Sequence, residues 1–179
     1  MGYRLQHANL PVEGEPYQLT ANCRNTVPIH RVGYAFYKGD AIDDPDLPGE
    51  DVRRTEVEGD AQQAVAIAGI VREFIVQGIE PEDIAVLLAK RPKNRLYELL
   101  QVQRLPNGVV WAIETPGQRG SISVDTVGRF KGLEAPVVIL WVGDEVVNEG
   151  QWELFYVGTT RAKSLLHVVG SAQAVATLS

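Results

Sequence analysis

Apolar residues in this chain come in short unbroken runs more than in alternation. Ile84-Ala-Val-Leu-Leu-Ala and Val137-Val-Ile-Leu-Trp-Val have strand length and no polar interruption, the pattern of strands buried on both faces. Val109 to Ile113, Ile122 to Asp125 and Leu165 to Val169 predict three more strands, and Val52-Arg-Arg-Thr-Glu-Val another. Between them the spacing turns helical. Asp60 caps a predicted helix with apolar positions Val65, Ala68, Val71 and Ile75, and Gly78 is its stop. Asn94 to Gln103 and Gln151 to Lys163 predict two further helices, and a closing one begins at Ala172. Strands alternating with helices predict an α/β fold, a mostly parallel sheet with helices on both faces. Ligands of such sheets bind beyond the carboxyl ends of the strands, so loops after strands are where function is sought first.

The 179 residues, 45% hydrophobic and 22% charged, suit one globular domain, 1–179, with an irregular N-terminal segment at 1–16 and an exposed acidic loop at 38–50. The longest apolar run, Pro136 to Gly143, is far short of the roughly 20 residues of a membrane helix. The N-terminal stretch has no apolar core of a secretory signal. Cys23 is the single cysteine, which excludes an internal disulfide and fits a reducing, cytoplasmic setting. The net charge of −6 argues against a nucleic-acid partner until its distribution is considered. Leu88 to Lys131 holds eight basic and three acidic residues, an excess of five, which leaves −11 on the remainder. A local basic surface is what a phosphate backbone senses, although a solvated charged face has the same composition.

Three segments carry the chemistry: Leu19-Thr-Ala-Asn-Cys-Arg-Asn-Thr, Val124-Asp-Thr-Val-Gly-Arg-Phe-Lys-Gly-Leu-Glu-Ala-Pro, and Leu154-Phe-Tyr-Val-Gly-Thr-Thr-Arg-Ala-Lys. In order and content they resemble motifs IV, V and VI of the UvrD-like superfamily 1 DNA helicases. The most specific element is KGLE before an apolar strand, followed about twenty residues later by YVGTTRA. The resemblance implies a second RecA-like domain, half of an ATP-driven DNA motor that lacks its own phosphate loop. No GxxxxGK[ST] occurs in the chain, so ATP with Mg2+ would be held by an N-terminal RecA-like domain in the same parent chain or on another subunit. Single-stranded DNA is the other implied partner.

By this resemblance Arg24 and Arg161 are the two arginines that reach across the cleft to ATP. A guanidinium there stabilises charge building on the γ-phosphate through directional hydrogen bonds. Rival readings are a turn-capping role for Arg24 and, for Arg161, a helix-surface arginine near Glu153. Gly132 would let the backbone approach the nucleotide, Glu134 would hydrogen-bond its sugar, and Lys131 belongs to the phosphate region. Thr126, Arg129 and Arg91 are the candidate DNA contacts, Arg91 together with Lys90 and Arg95 in a basic stretch. The sequence also departs from the family. Cys23 stands where a tyrosine stacks on adenine, Gly128 where motif V has histidine, and Arg129 where it has a small polar residue. About a hundred residues separate motifs IV and V, too few for the large inserted subdomain, so the chain resembles a compact branch.

Other signals read as structural. Asp144 and Glu145 end an apolar strand as a magnesium-holding pair would, but without a phosphate loop they are loop residues. His7, His30 and His167 are too scattered for a metal site, and Trp111, Trp141 and Trp152 read as core. Ser121 and Ser123 lack a histidine and carboxylate in a nucleophile arrangement. Two other function classes stay open on the residues alone: a nucleic-acid-binding module that needs no ATP, and a regulatory domain with a vestigial motor fold.

Overall fold

The computed structural model describes residues 24–39, 41–89, 92–115, 117–143 and 149–178, with the backbone alone at 149–151. The expectations for residues 1–16, Cys23, Lys90, Arg91, Asp144 and Glu145 lie outside the described residues. Six strands, β1 (Arg53–Glu56), β2 (Ile84–Ala89), β3 (Val110–Ile113), β4 (Ser121–Thr126), β5 (Ala135–Val142) and β6 (Ala162–Gly170), form one sheet in the order β1-β6-β5-β2-β4-β3. Every neighbouring pair is parallel. The helices are α1 (Val27–Tyr34), α2 (Asp60–Val76), α3 (Lys93–Gln101), α4 (Glu149–Thr159) and α5 (Ala172–Ala176).

Alternation along the strands splits the core into two layers. Ala85, Leu87, Val138, Leu140, Leu166 and Val168 face Ile29 of α1, Phe155 of α4 and Val175 of α5. Their neighbours Ile84, Val86, Ile139, Trp141, Leu165 and Val169 face Ile67, Val71 and Phe74 of α2 and Leu96 and Leu100 of α3. Both faces of the sheet are thus covered by helices, which is why β2 and β5 read as unbroken apolar runs. Among the described residues no helix is long and apolar enough to cross a membrane.

Several boundaries differ from the sequence reading. Gly59, at φ +82, is the N-cap of α2, and Asp60 enters the first turn, where its carboxylate stands 3.9 Å from Arg95 Nε. The buried stripe of α2 runs through Ala64, Ile67, Ala68, Val71 and Phe74, leaving Val65 53% exposed. Gly78 does end the helix. At φ +89 it lets its own N–H reach Ile75 O and that of Ile79 reach Phe74 O, the paired closure of a Schellman motif. The helix drawn to Lys163 stops at Thr159. Thr159 and Thr160 turn their hydroxyls back onto the carbonyls of Phe155 and Tyr156, and the chain then pairs with β5 as Ala135 N–H donates to Arg161 O at 3.0 Å. Ala162 and Lys163 are therefore strand residues. The eight-residue α1 was not anticipated. Buried Ile29 anchors it, and a Cβ on its Gly33 would stand 2.9 Å from Thr159 Oγ1, so α1 packs against the end of α4.

Candidate functional site

Asn25 ties the segment before α1 to the α4–β6 junction. Only 2% exposed, its amide donates to Thr160 O at 3.1 Å and Ala162 O at 2.6 Å. This anchor sets Arg24 beside the amino end of β5, where its Nη1 lies 3.5 Å from Glu134 Oε1. Lys163, at the start of β6, approaches the other carboxylate oxygen at 3.4 Å. Arg161 lies in the same corner. Its Nε donates to Val157 O at 3.1 Å, Nη1 to Leu133 O at 3.2 Å and Nη2 to Thr160 Oγ1 at 3.4 Å. These acceptors are neutral, and among the described residues no carboxylate forms an ion pair with Arg161. Burial and Tyr37 raise the pKa of the nearby Tyr156 hydroxyl, while the charges of Arg161 and Arg24 pull it back down. Gly132, at φ +92, turns the chain into β5 and brings Leu133 O under Arg161.

Arg24, Glu134 and Arg161 thus meet, with Gly132 shaping the approach. Lys131 does not join them, because its Nζ points to Glu153 at 3.8 Å, both side chains being exposed. Glu153, the rival partner considered for Arg161, is engaged there instead. Lys163 was missed as a site residue. Its signal was the spacing of two from Arg161, which on entry to a strand returns to the same side.

The cluster lies at the amino ends of β5 and β6, opposite to where function was sought. The candidate nucleic-acid residues are the ones at the carboxyl ends, separated from it by the length of β5, roughly 26 Å for an eight-residue strand. Thr126 closes β4, and its Oγ1 accepts the Arg129 N–H at 3.3 Å. Arg129 donates from Nε to Asp125 Oδ1 at 3.0 Å and from Nη2 to Glu114 O at 3.2 Å. Glu114 also holds Lys93. Lys93 and Arg129 therefore both face carboxylates, and Arg95 lies 3.9 Å from Asp60. Gly128 faces open space, with no atom within 4 Å of where a Cβ would stand.

Residues 121–169 match the model of the UvrD-like helicase C-terminal domain. This segment, and not the whole chain, carries the likeness to that family. That segment spans β4 to β6 and includes Thr126, Arg129, Gly132, Glu134, Arg161 and Lys163, so both clusters draw on it. The UvrD-like stretch covers a little over a quarter of the chain. Among solved structures, the C-terminal domain of a possible DNA helicase from Lactobacillus plantarum WCFS1 is similar at 18% identity and a TM-score of 0.61. The match covers 88% of this chain and 92% of that one, a likeness of fold. No curated protein sequence matches the chain. Trp141 is fully buried, Trp111 Nε1 bonds Gln103 O at 2.8 Å, and Trp152 lies under Lys38.

Proposed function

We propose that this chain is the second RecA-like domain of an ATP-dependent DNA helicase or translocase, its residues 1–179 acting as one unit. The observation that carries the reading is Arg161, a guanidinium held by three neutral acceptors, with no ion-pairing carboxylate among the described residues. Arg24 and Lys163 both approach the Glu134 carboxylate, and with Arg161 beside them they form a cationic donor set that fits a polyphosphate. Bound ATP supplies a phosphoryl group whose transfer builds negative charge on its oxygens. Arg161 and Arg24 meet that charge, and Glu134 holds Arg24 and Lys163 in place or turns to the sugar. Mg2+ is assigned, with the phosphate loop that this chain lacks, to the N-terminal RecA-like partner. Thr126 and Arg129 at the opposite end of the sheet are assigned to the backbone of single-stranded DNA.

The test uses the full-length parent. Arg161→Ala should keep its melting temperature and ATP affinity nearly unchanged, yet lose on the order of 10³ to 10⁵ in turnover. Arg161→Lys should not rescue, because an ammonium lacks the planar fork. Combining Arg24→Ala with Arg161→Ala should cost far less than the product of the single losses, since both act on one transition-state charge. A folded Arg161→Ala that hydrolyses ATP within about threefold of the parent would sink the reading.

A further inference from the structure

At the carboxyl ends of β3 and β4 stands a group of side chains that the motifs do not explain. Glu114, the residue after β3, has φ +52, a left-handed conformation seldom adopted by residues with a long side chain. Its N–H is fixed to Val124 O at 2.8 Å. From that turn its carboxylate reaches Lys93 Nζ at 2.5 Å and lies 4.0 Å from Arg129 Nε. One turn along α3 from Lys93, Tyr97 is 6% exposed, with its hydroxyl buried. Burial raises the pKa of that phenol, as do the charges of Asp125 and Glu114 and its interaction with the Glu114 carboxylate, which lies against the hydroxyl. An ammonium, a guanidinium and a buried phenol thus converge on one carboxylate carried by a strained backbone. Such strain persists where the surroundings over-determine it, and it concentrates at ligand clamps. A carboxylate has two oxygens for these three donors. A phosphodiester presents two charged non-bridging oxygens on a tetrahedral centre, a match in charge and donor demand for the carboxylate it would replace, with its ester oxygens as further weak acceptors.

We propose that a phosphodiester of single-stranded nucleic acid is seated among Lys93, Tyr97 and Arg129, and that Glu114 fills that seat when no strand is bound. The inference rests on reading the carboxyl end of the sheet as part of the DNA track, and it extends that track to Lys93 and Tyr97. The exchange is easy because Lys93 and Glu114 are both partly exposed, at 42% and 31%, and an exposed ion pair contributes little. Abolishing the Glu114 charge removes an internal competitor. Affinity for single strands should rise about two- to five-fold, the worth of such a pair, and the salt slope should steepen by roughly 0.7 for the one additional cation engaged.

The experiment is fluorescence anisotropy of a labelled oligothymidylate titrated with the full-length protein across a range of salt. Glu114→Gln removes the charge and keeps the shape. Glu114→Asn also suits the left-handed backbone, so it carries the test should the first variant not fold. Both should bind more tightly with the steeper slope, and Lys93→Ala added to Glu114→Gln should cancel the gain. Tyr97→Phe in the same background should weaken binding without changing the slope, since it removes a hydrogen bond and no charge. If Arg129→Ala weakens binding while both Glu114 variants match the parent in affinity and slope, the phosphate seat is overturned and the track stands. If the parent and every variant leave the oligonucleotide free, both readings fall.

Discussion

Gln63 lies inside the α2 layer at 0% exposure and joins two elements through one amide. Its Nε2 donates to Val57 O at 2.7 Å, and its Oε1 accepts the Trp141 indole N–H at 2.7 Å. Replacing it with leucine of similar volume strips both partners, and an unsatisfied buried polar group costs about 1–3 kcal/mol. Gln63→Leu should therefore destabilise by about 2–5 kcal/mol, read as a lowered urea midpoint at unchanged slope. A midpoint within error of the parent would show that Val57 and Trp141 find other partners. The Arg31–Asp44 pair has good forked geometry, 3.1 and 3.3 Å to one oxygen, yet the two side chains are 68% and 54% exposed. Breaking it should cost under about 1 kcal/mol. Burial, more than charge, decides which contact matters, and the same rule makes the exposed Lys93–Glu114 pair easy to exchange for a ligand.

Among elements, glycines at two helix ends make opposite demands. A Cβ at Gly78 would touch nothing within 4 Å, so Gly78→Ala costs only the left-handed backbone, roughly 1–2 kcal/mol. At Gly158 a Cβ would lie 2.9 Å from Leu140 Cδ1 and 3.1 Å from Val127 Cγ2, so Gly158→Ala must lift the end of α4 from the sheet. Overpacking of that kind costs about 1–3 kcal/mol. Because α4 ends just before Arg161, Gly158→Ala should also lower ATP turnover in the folded parent, whereas Gly78→Ala should lower the melting temperature alone. Equal turnover in the two variants would detach Arg161 from the seating of α4. The sheet was legible because β2 and β5 are buried on both faces and hold no polar residue to blur the pattern. The ends of α2 and α4 were not, since a cap at Gly59 and threonine hydroxyls turned inward depend on where the sheet places the next strand. Within the site, Arg24, Glu134 and Arg161 could be read from local motifs. Lys93 with Glu114, and Lys163 with Glu134, could not, because topology joins them across long stretches of chain.

At the scale of the molecule, acid sensitivity has a nameable origin. Burial, with Arg53 nearby, holds the His167 ring down to about 4, while Nε2 meets Thr55 Oγ1 at 2.8 Å and Nδ1 is buried without a partner. An unfolded histidine titrates near 6.5, so between about pH 6.5 and 4 the unfolded chain binds a proton that the folded one refuses. Stability should fall as pH drops through that window, by on the order of 3 kcal/mol at its lower end. Urea midpoints at pH 7, 6 and 5 should decline for the parent and much less for His167→Gln; parallel curves would assign the acid sensitivity elsewhere. The strand order has a consequence for how the molecule is made. Among the described residues β6, the last strand in sequence, is the only neighbour of β1 and one of two neighbours of β5. Synthesis at roughly 5–20 residues per second leaves β1 waiting several seconds or more for its partner to emerge. Through that interval one edge of β5, the most apolar strand, stays bare and can pair with any exposed strand nearby. Translation stalled before Ala162 thus leaves a nascent chain prone to clumping, and a holding chaperone should improve the yield of folded protein more than any surface substitution.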